Sequence, residues 1–325
     1  MALRRAFLAA SGTALLGLML PPDVLAQSFP TKPLHFIVPL APGGSADMLA
    51  RLVGQHLSQR LGQAVIVEMR PGGGTVVGTS QVARAAADGY TLLFASNSLV
   101  INAKLRTNLP YDGIKAFEPV ALMASSPQVL AVNAASPYRS FKQWLAAARA
   151  QPGTVSLASL GPDTTQHMAS EWLQHTTGTQ LIYAPFNGGA LAVNAVLGGH
   201  VDTVLGNLAE MSPHIEAGRL RALAVTTRER LSALQQVPTI AESGYPGFEA
   251  IAWFGVAVPA GTPQEVIQVL AEGVKSAVSD PEIRRQLLAF SLQPDFLGPA
   301  EFAGHVAQQY QHYAHIIDDA HIQVM

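Results

Sequence analysis

The 325-residue sequence contains no cysteine. This absence excludes disulfide bonds, thiolate metal sites and a lipid carried on an N-terminal cysteine. Charged residues are also scarce, at 13% of the chain, and the formal net charge is −2. A chain that binds nucleic acid through its backbone phosphates usually carries a basic surface. We therefore expect no nucleic-acid partner.

Runs long enough to span a membrane are missing beyond the first 26 residues. Those residues contain Arg4-Arg5, an apolar stretch from Ala6 to Leu20, and the small-residue end Val24-Leu25-Ala26. This order is typical of a secretory signal peptide and predicts cleavage after Ala26. The two arginines also resemble the twin-arginine export pattern, but they occur in ordinary signals too, so the route stays open. We expect an exported protein, and the bacterial periplasm fits best.

Several signatures of enzymes and cofactor sites are absent. The glycine-rich run Gly72–Gly78 has Val77 where the third glycine of G-x-G-x-x-G belongs. Neither a phosphate-binding G-x-x-x-x-G-K-[ST] nor a G-x-S-x-G nucleophile elbow occurs. His167 and Glu171 are four residues apart, but the zinc motif H-E-x-x-H is missing. We expect no cofactor, no metal and no catalytic set of residues. An exported enzyme that uses Asp47 or His167 is the weaker alternative.

What the sequence does contain is an alternation of strand-like and helical segments, with 49% hydrophobic residues. This order predicts an α/β fold with two lobes, each a mainly parallel sheet flanked by helices. The apolar stretches Val120–Val132 and Trp253–Val258 are interpreted as the two crossings between lobes. The expected division is 27–126 with 250–325 as the first lobe, and 127–249 as the second.

Glycine-rich or polar turns follow several of the predicted strands. The first comes after the buried strand Leu34–Val38 and precedes apolar positions at helical spacing. A helix start exposes unpaired backbone N–H groups and partial positive charge, so it can hold an anion without lysine or arginine. Five such turns at one sheet edge predict a ligand cleft there: Pro42–Ser45, Arg70–Thr75, Ser96–Ser98, Gly161–Thr165 and Asn187–Gly189.

Ordered motifs along nearly the whole chain then resemble one family. They include Val38–Gly44 followed by Asp47, Ala87–Leu93, Leu197–Asp202, Val237–Gly244 and Pro259–Pro263. The sequence is similar to the extracytoplasmic solute receptors of tripartite tricarboxylate transporters, the Bug proteins. That resemblance implies a two-lobed periplasmic binding protein fold, type II-like, whose cleft closes on a small organic acid. It also implies membrane permease subunits as partners, and we expect a monomer.

The resemblance places a ligand carboxylate against the first strand–helix loop, with the Ser96–Ser98 loop completing that half and the second lobe facing it. The expected ligand-binding residues are Ala41, Pro42, Gly43, Gly44, Ser45, Ala46, Asp47, Ser96, Asn97, Ser98, Leu160, Gly161, Asp163, Thr164, Thr165, His167, Asn187, Gly188 and Asn207.

Two positions depart from the family pattern. Pro162-Asp163 stands where glycine, serine or asparagine is common, and Asn187 where a lysine is common. If both face the cleft, it has gained an anion and lost a cation, which disfavours a second carboxylate on the ligand. The hypothesis is a monocarboxylate, an amino acid or an amide-bearing acid rather than citrate. The alternative is that Asp163 caps the following helix. A ligand sensor feeding a signalling partner also remains open.

Overall fold

The computed structural model describes residues 29–161 and 163–322, so the predicted signal peptide lies outside the described residues. Its ten strands are Leu34–Val38 (β1), Val65–Met69 (β2), Thr91–Ser96 (β3), Phe117–Asn133 (β4), Ser156–Ser159 (β5), Ile182–Pro185 (β6), Thr203–Asn207 (β7), Leu220–Val225 (β8), Ile251–Pro259 (β9) and Gln293–Leu297 (β10). Its ten α-helices are Ser45–Leu61 (α1), Val76–Ala83 (α2), Asn97–Leu105 (α3), Phe141–Ala150 (α4), Thr165–Thr177 (α5), Gly189–Leu197 (α6), Leu208–Glu216 (α7), Gln264–Ser279 (α8), Pro281–Ala289 (α9) and Pro299–Asp319 (α10).

The first lobe is built on the strand order β2-β1-β3-β9-β4. Strand β1 pairs in parallel with β2 and β3, and β9 runs antiparallel to β3 and β4. Leu34, Phe36, Ile37 and Val38 of β1 are fully buried. Such a nearly continuous apolar strand is what a sheet covered by helices on both faces requires.

Strand β4 runs from the first lobe into the second. Its first part pairs with β9 as far as Pro127 opposite Ile251, and from Gln128 onward it pairs with β7 and β8. The expected crossings therefore lie within β4 and β9. Both crossing strands are antiparallel to their neighbours, so the parallel pairs lie toward the outer edges of the sheets.

The second lobe continues the order as β4-β7-β5-β6, with β8 beside β4. Strand β5 is parallel to both β6 and β7. Trp144 of α4 is fully buried beneath this sheet and donates its indole N–H to Thr203 Oγ1 at 3.0 Å. Because the buried donor is paired, the large ring adds apolar burial without an unsatisfied polar group.

Two elements differ from the sequence-based expectation. Ser96–Ser98 was expected to be a loop, but β3 ends at Ser96 and α3 begins at Asn97. The sequence predicts three helices after Pro263, at 265–279, 281–289 and 301–320, and the structure adds β10 between the last two, where it pairs with β4. Pro294 and Asp295 disfavour a strand in isolation, but an edge position tolerates proline. No helix in the described part of the chain combines the length and apolar character needed to cross a bilayer.

Candidate functional site

A cavity of about 790 Å³ lies between the two lobes. Residues from the N-cap or first turn of six helices line it, namely α1, α2, α3, α5, α6 and α7. The partial positive charge and free amides at these helix starts favour a bound anion. The strand-end cleft expected from the turns is therefore present in the structure.

The turn before α1 is held by its own side chains. Gly43 adopts φ +85°, a left-handed conformation that favours glycine. Its N–H donates to Asp47 Oδ2 at 3.0 Å, and Arg51 Nε donates to Asp47 Oδ1 at 2.6 Å. The Asp47 carboxylate thus organises the loop. Ser45 and Ala46, the first two residues of α1, line the cleft.

Glu210 in the first turn of α7 is an acid that the sequence analysis did not select. Its carboxyl group reaches across to α1, where it accepts a hydrogen bond from the Ser45 backbone and lies 3.5 Å from Ser45 Oγ. Burial raises the pKa of Glu210 from 4.5 to about 7, although these donors oppose the rise. Among the described residues, no cationic nitrogen comes within 4.0 Å of it.

Asn207, the N-cap of α7, lies beside this acid. Its Nδ2 donates to Ser45 Oγ at 3.2 Å, which links the two lobes. Its Oδ1 is buried and has no hydrogen-bond partner among the described residues. An unpaired buried acceptor costs about 1–3 kcal/mol, so a ligand that donates to it would gain that amount.

Asp163 joins the lobes on the other side of the cleft. Arg106 Nη2 donates to Asp163 Oδ2 at 2.8 Å, and the Asp163 side chain is 3% exposed. The carboxyl group packs against Gly74, where a Cβ would overlap it. The alternative that Asp163 caps α5 is wrong, because Thr164 is the N-cap and accepts from the His167 backbone at 3.2 Å.

The structure brings most of the expected ligand-binding residues to the cleft. Those lining the cavity are Ala41, Pro42, Gly44, Ser45, Ala46, Ser96, Ser98, Leu160, Asp163, Thr164, Thr165, Asn187, Gly188 and Asn207. Five expected residues lie outside that lining: Gly43, Asp47, Asn97, Gly161 and His167. Gly43 instead lines a smaller cavity of about 330 Å³ on the other side of Glu210.

Asn97 is fully buried and makes hydrogen bonds within the protein. Its Nδ2 donates to Ile251 O at 3.1 Å and to the Tyr313 hydroxyl at 3.0 Å, while its Oδ1 accepts from Trp253 N at 2.8 Å. These bonds tie α3 to β9 and α10, so the side chain supports the crossing strand from behind the cleft.

His167 belongs to a row of side chains that has the composition of a catalytic triad. Its Nδ1 lies 2.9 Å from Ser159 Oγ, and its Nε2 lies 3.4 Å from Glu171 Oε1. Burial lowers the pKa of His167 to about 4, so the ring is neutral near pH 7. Ser159 is buried and does not line the cleft, so a ligand there cannot reach its hydroxyl.

Residues outside the expected ligand-binding set complete the lining, and some of them belong to the Arg70–Thr75 turn that was expected at the cleft. They include Gly72–Thr75, Gln166, Gly189–Leu191, Glu210, Ala252 and Phe254. The Gly72–Gly74 turn carried a signal, because it follows β2 as a glycine-rich strand end. The signal at Glu210 was weaker, because it is only an acidic residue in the first turn of α7, the helix that follows β7. Among the described residues, no group of three or more His, Asp or Glu side chains is placed to hold a metal ion.

Comparisons with known proteins identify the family to which the chain belongs. Residues 49–322 match the family described as "Tripartite tricarboxylate transporter family receptor". Protein BugT of Bordetella pertussis is 35% identical over 296 residues, which cover 90% of this chain and 91% of BugT.

Two solved structures share the fold. Periplasmic binding protein BugD is 30% identical with a TM-score of 0.85, over 91% of this chain and 100% of BugD. An R. palustris protein solved with adipate is also 30% identical, with a TM-score of 0.86 over 91% of this chain and 100% of that one. The chain belongs to the tripartite tricarboxylate transporter receptor family, resembles the Bug proteins BugT and BugD over 90% and 91% of its length, and is a periplasmic solute-binding receptor rather than an enzyme.

Proposed function

We propose that this receptor captures a small organic carboxylate by closing its two lobes around it. The moving units are residues 27–126 with 250–325 on one side and 127–249 on the other, with the crossing strands β4 and β9 as the hinge. The observation that carries the proposal is the cleft of about 790 Å³ lined by six helix starts. The Arg106–Asp163 pair supports closure, because it joins the lobes directly.

The favoured ligand is a monocarboxylate, an amino acid or a related acid rather than citrate. The ionisable residues among the described lining are Asp163, which Arg106 compensates, and Glu210, which no cation compensates. Each helix start stabilises an anion by about 0.3–1 kcal/mol, which suits one carboxylate without a salt bridge. A second carboxylate would meet the Glu210 side chain. The R. palustris relative was solved with adipate, which supports a carboxylic acid as the ligand. Adipate is a dicarboxylate, so the preference for a single carboxylate rests on the Glu210 side chain of this chain.

The receptor acts in the periplasm and delivers its ligand, as a monomer, to the membrane permease subunits of a tripartite transporter. The description of the matching family supports this partner. Export with cleavage after Ala26 predicts that the protein recovered from a periplasmic fraction begins at Gln27. N-terminal sequencing checks the cleavage, and loss of ligand uptake on deletion of the receptor, with uptake restored by the intact gene, checks the delivery.

Thermal unfolding of the exported protein against carboxylates, amino acids and aromatic acids tests the binding function. A ligand at one hundred times its dissociation constant stabilises the protein by about 2.7 kcal/mol, which raises Tm by several degrees. We expect shifts with monocarboxylates or amino acids and none with citrate. A shift with citrate alone would contradict the favoured ligand class, and a shift with none of the acids would contradict carboxylate capture.

A further inference from the structure

An acid lies wedged between two helix starts inside the cleft. The Glu210 carboxyl group packs against Gly189 at the start of α6, where a Cβ would overlap it, and lies beside Gly44 at the start of α1. Its hydrogen-bond donors, the Ser45 backbone and the Ser45 and Asn207 side chains, are all neutral. A carboxylate has about four acceptor sites, so this one retains capacity for a further donor.

A second acceptor lies next to it without a partner. The Asn207 side chain is 4% exposed. The Ser45 hydroxyl donates toward Glu210 and accepts from Asn207 Nδ2, and this arrangement fixes the orientation of the Asn207 amide. That orientation leaves Asn207 Oδ1 unpaired. These two neighbouring acceptors belong to residues that line the cleft, and the described lining includes no lysine, arginine or histidine to satisfy them.

We propose that Glu210 and Asn207 together bind a protonated amine on the ligand, so that the captured acid is an amino acid or a similar zwitterion. The assignment rests on the proposed capture of a carboxylate and narrows its ligand class. The helix starts hold the carboxylate, and the two acceptors hold the ammonium group. A charge-assisted hydrogen bond of this kind is about twice as strong as a neutral one.

The other titratable groups near Glu210 are either neutral above pH 7 or paired with an arginine. His214, one turn further along α7, lines the smaller cavity with Glu210, and burial lowers its pKa, so it is neutral above pH 7. Asp47 at the start of α1 is paired with Arg51, and Asp163 across the cleft is paired with Arg106. Helix α6 contributes no ionisable side chain.

The pH dependence of binding follows from the charge of Glu210. Burial places the pKa of Glu210 at about 7, so about a tenth of it is ionised at pH 6 and about nine tenths at pH 8. An ammonium-bearing ligand binds the ionised form, so its affinity rises by up to about tenfold from pH 6 to pH 8. A carboxylate that lacks the amine is repelled by the ionised form, and its affinity falls over the same range.

The experiment measures dissociation constants by calorimetry for pairs of acids that differ by the α-amino group. Suitable pairs are alanine with propionate, leucine with 4-methylpentanoate, and phenylalanine with 3-phenylpropionate. Each pair is measured at pH 6 and pH 8 with the full exported protein. For at least one pair we expect the amino acid to bind about tenfold or more tightly than its partner at pH 8, with the two pH trends running in opposite directions.

Two variants assign the effect to the proposed group. Glu210→Gln keeps the size of the side chain and removes its charge. The ratio of the two dissociation constants within a pair should therefore approach one, and neither constant should still depend on pH. Glu216→Gln changes an exposed acid on the same helix and should leave the preference and the pH trends as in the wild type. The wild-type pH trends test the proposal even if Glu210→Gln does not fold.

The outcomes separate this proposal from the function on which it rests. Binding of the amine-free acids as tightly as the amino acids, or an unchanged preference in Glu210→Gln, would overturn the amine site while leaving carboxylate capture intact. Binding of the amino acids that weakens from pH 6 to pH 8 would do the same. Failure of every acid, with or without an amine, to bind would overturn the proposed function itself.

Discussion

Substituting Gly74 by alanine should prevent the lobes from closing. The new Cβ would overlap the carboxyl group of Asp163, which is buried and held 2.8 Å from Arg106 Nη2. To admit the methyl group, Asp163 must move and lose its partner. Separating a buried ion pair costs about 3–5 kcal/mol, but the Arg106 side chain is 27% exposed and water can solvate it in part. We therefore expect the closed form to lose about 2–3 kcal/mol and affinity to fall about 30- to 150-fold.

A neighbouring glycine provides the matched control. Gly73 has φ +54° and Gly74 has φ +63°, so alanine is strained by a similar amount, about 1–2 kcal/mol, at either position. At Gly73, however, the nearest side-chain atom to a new Cβ is Val76 Cβ at 3.7 Å, an ordinary contact. The strain is present whether the lobes are open or closed. It therefore lowers Tm in both variants but does not by itself change affinity.

The assay is calorimetric titration with an acid found in the thermal screen, together with small-angle scattering to follow compaction on binding. Gly73→Ala should bind the acid and become more compact on binding, as the wild type does. Gly74→Ala should neither bind the acid nor become more compact at the same ligand concentration. Adding Asp163→Ala to Gly74→Ala removes the overlap and should restore part of the affinity. Equal binding by the two single variants, or no recovery in the double variant, would refute the steric reasoning.

Three further predictions concern the supporting network. Arg106→Gln leaves the buried Asp163 carboxylate without a cation, so Tm should fall and affinity should drop by at least tenfold; unchanged thermal unfolding and titration would contradict this. Asn97→Ala leaves the Trp253 N–H unpaired, so chemical denaturation should show a loss of about 2–4 kcal/mol while the folded fraction keeps its ligand affinity; a selective loss of affinity would instead place Asn97 in the site. Burial lowers the pKa of His167 from 6.5 to about 4, so the unfolded chain binds more protons than the folded one between these pH values. The free energy of unfolding should therefore decrease, by up to about 3 kcal/mol, as the pH is lowered from about 6.5 to 4. His167→Gln should flatten that part of the stability profile, and an unchanged slope would count against it.

Local features allowed the fold class and the first strand–turn–helix unit to be predicted. The strand Leu34–Val38, the turn at Gly43 and the helix from Ser45 follow one another within 28 residues of chain. Each carries its own signal in the sequence: an apolar run, a Pro/Gly turn and apolar residues at helical spacing. The glycine-rich and polar turns predicted the cleft, and the resemblance to a known family added the expectation that it closes on a small organic acid. The fold class and the turns could be predicted because their signals lie in residues that are close together in the sequence.

Contacts between distant parts of the chain were harder to foresee. Asn97 follows a strand end, as a cleft residue would, but its partners are 154 to 216 positions away and lie behind the cleft. Asp163 was expected to cap a helix or to add charge to the cleft, and instead it pairs with Arg106, 57 positions away. Glu210 meets Ser45 across 165 positions. Tertiary packing decides the role of each of these polar residues, and helical or strand periodicity carries no information about it.

A crystal structure of the exported protein with a bound acid tests the central claim most directly. We expect the ligand carboxylate within hydrogen-bond distance of the Ala46 amide at the start of α1, enclosed by both lobes, with the Arg106–Asp163 pair intact. A carboxylate bound in the smaller cavity behind Glu210, or on one lobe with the cleft open, would contradict capture by closure.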